Sequence, residues 1–203
     1  MQDVFFFGYG SLVNRQTHDY GDAHPARAGG WRRIWRHTAL RPVAFLTAIP
    51  DPDCEIDGLI APVPNGDWRA LDAREHAYDR VRLEALPAHP LPFAPEVAIY
   101  SIPTGKHGAP TMAHPVLLSY LDVVVQGYLK EFDEAGVTRF FETTEGWDVP
   151  ILDDRAHPHY PRHQVLPPEE TALVDHWLTR LDAAVVHLDD HPPIPRATGD
   201  TTR

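Results

Sequence analysis

Four residues of one short stretch, Trp68, Leu71, Glu75 and Tyr78, are spaced at i, i+3, i+7 and i+10, offsets that share one face of a helix. Trp68, Leu71 and Tyr78 suit a core-facing stripe; a carboxylate among them does not. A carboxylate on an inward face pairs with a cation or lines a cavity, because an uncompensated buried charge is costly. In an apolar cavity a carboxyl is poised for general acid–base catalysis. The plainer reading is a structural ion pair. Arg74, next in the chain, points mostly to another face, while Arg80 or Arg82 can fold back. Geometry separates the two readings: Glu75 facing a cavity, or Glu75 against an arginine with no cavity.

The second candidate is a turn. A β-prone run over residues 4–7 stops at Gly8-Tyr9-Gly10-Ser11-Leu12, so a strand runs directly into a glycine-rich turn. Two glycines let the backbone approach a ligand closely, and successive N–H groups can form an anion-binding nest. The motif lacks the third glycine of a dinucleotide fingerprint and the lysine of a P-loop. A tight turn without a ligand is the bland alternative.

Other residues read more plainly. Arg27, Arg32, Arg33, Arg36 and Arg41 crowd the early strands. They attract an anionic substrate or balance the many carboxylates, and balance is the simpler account. His157, His159 and His163, with Asp153 and Asp154 upstream, invite a metal. Prolines flank them and no helical His pair appears, so no metal and no cofactor is expected. The stretch 153–163 reads instead as a cover over the pocket, with the turn at 143–147 bordering the same region. Cys54 has no histidine at local spacing, so no thiol nucleophile is expected.

The elements that position these groups are short. Strands are expected at 4–7, 30–38, 43–49 (ended by Pro50-Asp51-Pro52-Asp53), 56–63, 81–85 and 97–101. A helix is expected over 68–78 with Asp67 as N-cap. A second opens at Pro115 and ends at Gly136; a third opens at Pro168 with the stripe Leu173, Trp177, Leu181, Val185 and Leu188. Strands dominate the first half and helices the second. The expected class is α+β, a small mixed β-barrel flanked by helices, with the C-terminal half more helical. One domain over 1–190 is expected, with a disordered tail over 191–203.

Composition bounds the partners. The chain has 203 residues, with 18 Lys and Arg against 29 Asp and Glu, a net charge of −11. That sign disfavours nucleic acid and anionic lipid. No apolar run is long enough to span a bilayer, and the N-terminus lacks a signal peptide's basic residues. The single cysteine allows no internal disulfide. These features fit a cytoplasmic protein. Oligomeric state is left open. Proline, at 21 residues, is about twice its usual share, as suits short elements joined by rigid turns.

Together, Phe7-Gly8-Tyr9-Gly10-Ser11-Leu12, the strand Ile56-Asp57-Gly58-Leu59-Ile60 and the stretch Leu71-Asp72-Ala73-Arg74-Glu75-His76-Ala77-Tyr78 resemble, in that order, motifs of the gamma-glutamylcyclotransferase family. Leu12 stands where many members have Asn, and His76-Ala77 where a Gly commonly follows the Glu. The resemblance implies a compact mixed β-barrel with flanking helices. It implies conversion of a gamma-glutamyl compound to 5-oxoproline and a free amine or amino acid, without metal or cofactor. Glu75 would be the acid/base; Tyr9, Gly10, Ser11 and Leu12, with Tyr78, would hold the substrate. The donor stays open: glutathione, another gamma-glutamyl peptide or a gamma-glutamyl amine. A non-catalytic module binding a small ligand on the same fold is the rival reading.

Overall fold

The computed structural model describes residues 4–40, 42–103 and 105–187. The expected tail at 191–203, Leu188 and Arg41 lie outside them. Six strands form one mixed sheet: β1 (Val4–Gly8), β2 (His24–Arg36), β3 (Phe45–Pro62), β4 (Asp79–Arg82), β5 (Glu96–Ser101) and β7 (Thr144–Glu145), in the order β4-β5-β1-β3-β2-β7. β6 (Val116–Leu117), β8 (Ile151–Asp153) and β9 (Val185–His187) form a second, parallel sheet. Three helices complete the α+β fold: α1 (Arg69–Arg74), α2 (Leu118–Glu142) and α3 (Pro168–Arg180). None of the described helices is long and apolar enough to cross a membrane.

β1 lies inside the sheet, antiparallel to β3 and parallel to β5. Its three phenylalanines, Phe5, Phe6 and Phe7, are all buried, as a strand covered on both faces requires. β1 passes β3 at close range. A Cβ on Gly58 would stand 2.4 Å from the Gly8 carbonyl oxygen and 2.6 Å from the Phe7 ring. Backbone cannot retreat from such a contact, so only glycine fits. We expect Gly58→Ala to cost about 2–3 kcal/mol by overpacking, read as a fall in urea midpoint. An unchanged midpoint would mean that the strands can part freely.

The barrel expected from the sequence does not form: among the described residues β4 and β7 are open edges. The two short strands expected at 43–49 and 56–63 are one strand, β3, of 18 residues. Its long antiparallel ladder with β2 takes the place of several short staves. The proline-aspartate run does not end β3. The register shifts between Gly29↔Glu55 and Trp31↔Pro50, so residues 51–54 stand opposite Gly30, whose φ is +81°. The turn signal is real, and the sheet absorbs it as a bulge.

The second half carries the two long helices, but also the small parallel sheet. The first half of α2 is buried all round, from Leu118 to Tyr128, as in a helix enclosed by the fold. Gly136 does not end it. The chain kinks at Asp133 (φ 57°) and continues helical to Glu142. Gly136 is needed because a Cβ there would meet that of Phe132 at 2.1 Å. α1 is shorter than the expected 68–78. Asp67 accepts the Arg69 N–H at 3.0 Å, but Glu75 already leaves helical geometry (φ −98°, ψ 30°). The Tyr78 N–H turns back to the Glu75 carbonyl at 2.8 Å, and β4 begins at Asp79. Tyr78 is therefore in a turn, off the helix face. Likewise α3 ends at Arg180, and Val185 belongs to β9.

Candidate active site

The turn after β1 is held from three sides. The Tyr9 hydroxyl donates to the Tyr100 carbonyl at 2.5 Å and accepts the Ala48 N–H at 3.0 Å. It fastens β5 to β3 just where β1 has ended. The Tyr9 carbonyl accepts from Tyr128 on α2 at 2.9 Å. Asn14, two residues past Leu12, donates to the Val123 carbonyl and to Gln126, both at 3.0 Å. A Cβ on Gly10 would stand 2.8 Å from the Tyr120 hydroxyl. The side chains of Tyr9 and Leu12 are thus buried in the fold, whereas Gly10 and Ser11 keep partial exposure. Tyr78 is half-buried and donates to the Leu46 carbonyl at 2.8 Å.

Glu75 caps the end of α1. Its Oε1 lies 3.2 Å from Arg74 Nε, and both side chains are largely buried. Arg74 also reaches the Thr17 carbonyl at 3.4 Å and hydrogen-bonds Tyr20. The partner is therefore Arg74, the neighbour expected to point elsewhere. With α1 ending here, the two adjacent side chains are not splayed as they would be within a helix. Arg80 instead pairs with Asp72, and Arg82 with Glu96. Glu75 also sits among phenols. Its charge adds to burial in raising the pKa values of Tyr9, Tyr20, Tyr100 and Tyr160. A narrow seam begins two residues beyond it, lined by residues including Ala77, Tyr78 and Phe45, but has no room for a water. An open hollow of about 370 Å³ is lined by Phe5, Asp22, His24, Pro62, Leu91 and Phe93. Glu75 lines neither, so on the criterion of cavity against arginine it falls with the ion pair.

The loop read as a cover comes to this site. Tyr160 is buried and packs edge-on against Tyr120, ring centroids 5.0 Å apart. The nearby Ser11 side chain acts against the rise that burial causes in its pKa. Asp154, fully buried, anchors the loop: it accepts from the Ser119 N–H (2.8 Å), the Ser119 hydroxyl (2.6 Å) and the His159 N–H (2.7 Å). It thereby satisfies the first turn of α2, where a negative charge is favourable. Among the described residues, no three His, Cys, Asp or Glu side chains are grouped to hold a metal ion. Burial pushes the Cys54 thiol up, away from the nucleophilic form.

The arginines divide. Arg27 pairs with Asp57 and Glu55, and Arg32 with Asp51 and Glu145, as charge balance expects. Arg33 is fully buried. It donates to Thr144, Thr143, Tyr128 and the Asp57 carbonyl, and its guanidinium lies over the Tyr128 and Phe140 rings. Asp57 pairs with Arg27 at 2.7 Å and with Arg139 at 2.6 Å. This network under the Tyr9 turn, with Tyr120 and Tyr160 above it, was not singled out from sequence as part of the site. Only Arg33, between Trp31 and Trp35 on an alternating strand face, carried a signal.

The buried phenols give the fold an alkaline limit. Burial holds Tyr9 and Tyr100 well above their ordinary value and pushes Tyr128 up to about 12, against the opposing pull of Arg33. The folded state binds these protons more tightly than the unfolded one. Their contribution to stability is complete below the ordinary tyrosine pKa of about 10 and is lost as pH rises through the folded values. We expect the unfolding free energy to decline above about pH 10, with part of the tyrosinate absorbance appearing only as the fold is lost. Full phenol ionisation in an intact fold would contradict this packing.

No protein-family model and no curated protein sequence matches the chain. Solved structures do match. A gamma-glutamyl cyclotransferase aligns over 86% of this chain and 99% of its own, with a TM-score of 0.52 at 13% identity. An uncharacterized protein from Homo sapiens aligns over the same shares with a TM-score of 0.52 at 12% identity. At these identities the likeness is one of fold. The chain shares the gamma-glutamyl cyclotransferase fold.

Proposed function

We propose that the protein is a gamma-glutamylcyclotransferase-like enzyme that converts a gamma-glutamyl peptide or amine to 5-oxoproline and a free amine, in a cytoplasmic setting. One observation supports this reading: the charge of Glu75 acts on the buried phenol of Tyr9, in the glycine turn, on a backbone similar to that of a gamma-glutamyl cyclotransferase. The carboxylate of one motif is thus within electrostatic range of the turn of the other.

The reaction needs little more than this. Glu75 takes a proton from the substrate's α-ammonium, and the freed amine attacks its own γ-carbonyl carbon. A C–N bond forms to close the five-membered ring. Glu75, having passed the first proton to solvent, takes the second from the ring nitrogen and gives it to the leaving nitrogen as the original amide C–N bond breaks. Both reacting groups belong to one molecule, so holding it folded supplies much of the rate. The Gly10–Ser11 backbone is the surface for that. Backbone N–H groups of the Tyr9–Leu12 turn suit a carboxylate or a developing oxyanion. Tyr9 and Leu12 support the turn from below, and Tyr78 borders it.

The Glu75–Arg74 pair favours a second reading, a binding module that keeps the fold without catalysis. Incubation with a panel of gamma-glutamyl dipeptides and amines separates the two. Release of 5-oxoproline supports the enzyme. A panel member that raises Tm without turnover supports the module.

A further inference from the structure

Tyr160 packs against the ring that covers the Gly10–Ser11 turn. Its ring is 5% exposed and packs on Tyr120, and the Tyr120 hydroxyl lies directly over Gly10. Its phenol feels both the Ser11 side chain and the charge of Glu75. The rest of the loop is much less committed. Ala156, His157, Pro158, Pro161 and His163 are exposed. The strap is pinned upstream, where Asp154 accepts the His157 and His159 N–H groups. Downstream a turn folds the His163 N–H back to the Tyr160 carbonyl. Pro158 and Pro161 stiffen it. Between these ends, Tyr160 is the buried side chain that seats the strap on the site.

We propose that Tyr160 controls substrate entry: its ring buttresses Tyr120, which covers Gly10, and it swings out with residues 156–162 to let a gamma-glutamyl substrate reach Glu75. This rests on the reading under Proposed function. It accounts for a carboxylate within electrostatic range of a glycine turn, without an open volume between them. A site that must open before binding shows an affinity reduced by the open fraction. Loosening Tyr160 should therefore strengthen apparent binding, which damage to a purely structural residue would not do.

The test is Tyr160→Phe, which keeps the ring and removes the hydroxyl beside Ser11. With a gamma-glutamyl dipeptide, we expect KM to fall about fivefold with kcat within about twofold. Backbone hydrogen exchange over residues 155–163 should quicken in the free variant and slow again with substrate. Tyr160→Ala, if it folds, should lower KM for bulkier leaving groups as well. An unchanged or raised KM with unchanged exchange in Tyr160→Phe overturns the proposal while the enzyme reading stands. Absence of 5-oxoproline with the unmodified protein overturns both.

Discussion

Glu75→Gln should fold normally and lose between about a hundredfold and ten-thousandfold in kcat, the range that one general acid–base group supplies. Glutamine keeps the shape and can still accept from Arg74, but it can neither take the ammonium proton nor carry one to the leaving nitrogen. The stability change should be small. Because glutamine leaves Arg74 an acceptor in this largely buried pair, 13% and 16% exposed, the lost charge should cost about 1 kcal/mol. In a chain of this size that is about 2–4 °C in Tm. A large kinetic loss beside a small thermal one is the signature of chemistry. If kcat is retained, Glu75 is only the partner of Arg74, and the mechanism is wrong.

The largest effect on stability should come from Asp57→Ala. Asp57 is buried at the end of the Arg27 and Arg139 guanidinium groups, and so ties β2 and β3 to the second half of α2. Breaking a buried pair by removing one partner costs about 3–5 kcal/mol. Arg27 and Arg139 are each 39% exposed and can rehydrate, so about 3 kcal/mol is expected, or roughly 6–12 °C in Tm. Urea unfolding at constant m would read it directly. A loss below about 1 kcal/mol would place the pairs with ordinary surface salt bridges.

Local irregularities stand out in the sequence more clearly than long-range pairing does. The glycine turn and Glu75 are visible because each breaks a local rule: two glycines end an aromatic strand, and a carboxylate interrupts an apolar stripe. The helix that suggested the stripe is too short to include Tyr78, so Glu75 reaches the site as a cap and not from a helix face. Local pattern shows that a residue is out of place; where the chain turns depends on β4 finding β5. The same limit hid the bulge in β3, whose Pro50–Asp53 signal is indistinguishable from a strand end until the β2 register is known. Arg33 and Tyr160 were the hardest to place. An arginine becomes core only when Thr143, Thr144 and Tyr128, over 90 residues away, supply acceptors. A lone tyrosine among prolines shows its purpose only once Asp154 has fixed its loop against α2.

The most direct test of the central claim is the product balance from a gamma-glutamyl dipeptide, with 5-oxoproline, free glutamate and the released amino acid measured together. Cyclisation at Glu75 requires 5-oxoproline and the released amino acid to appear in equal amounts, with no glutamate. Glutamate in place of 5-oxoproline would mean that water, and not the substrate's own amine, attacks the carbonyl. No product across the dipeptides and amines would leave the fold in the service of binding alone.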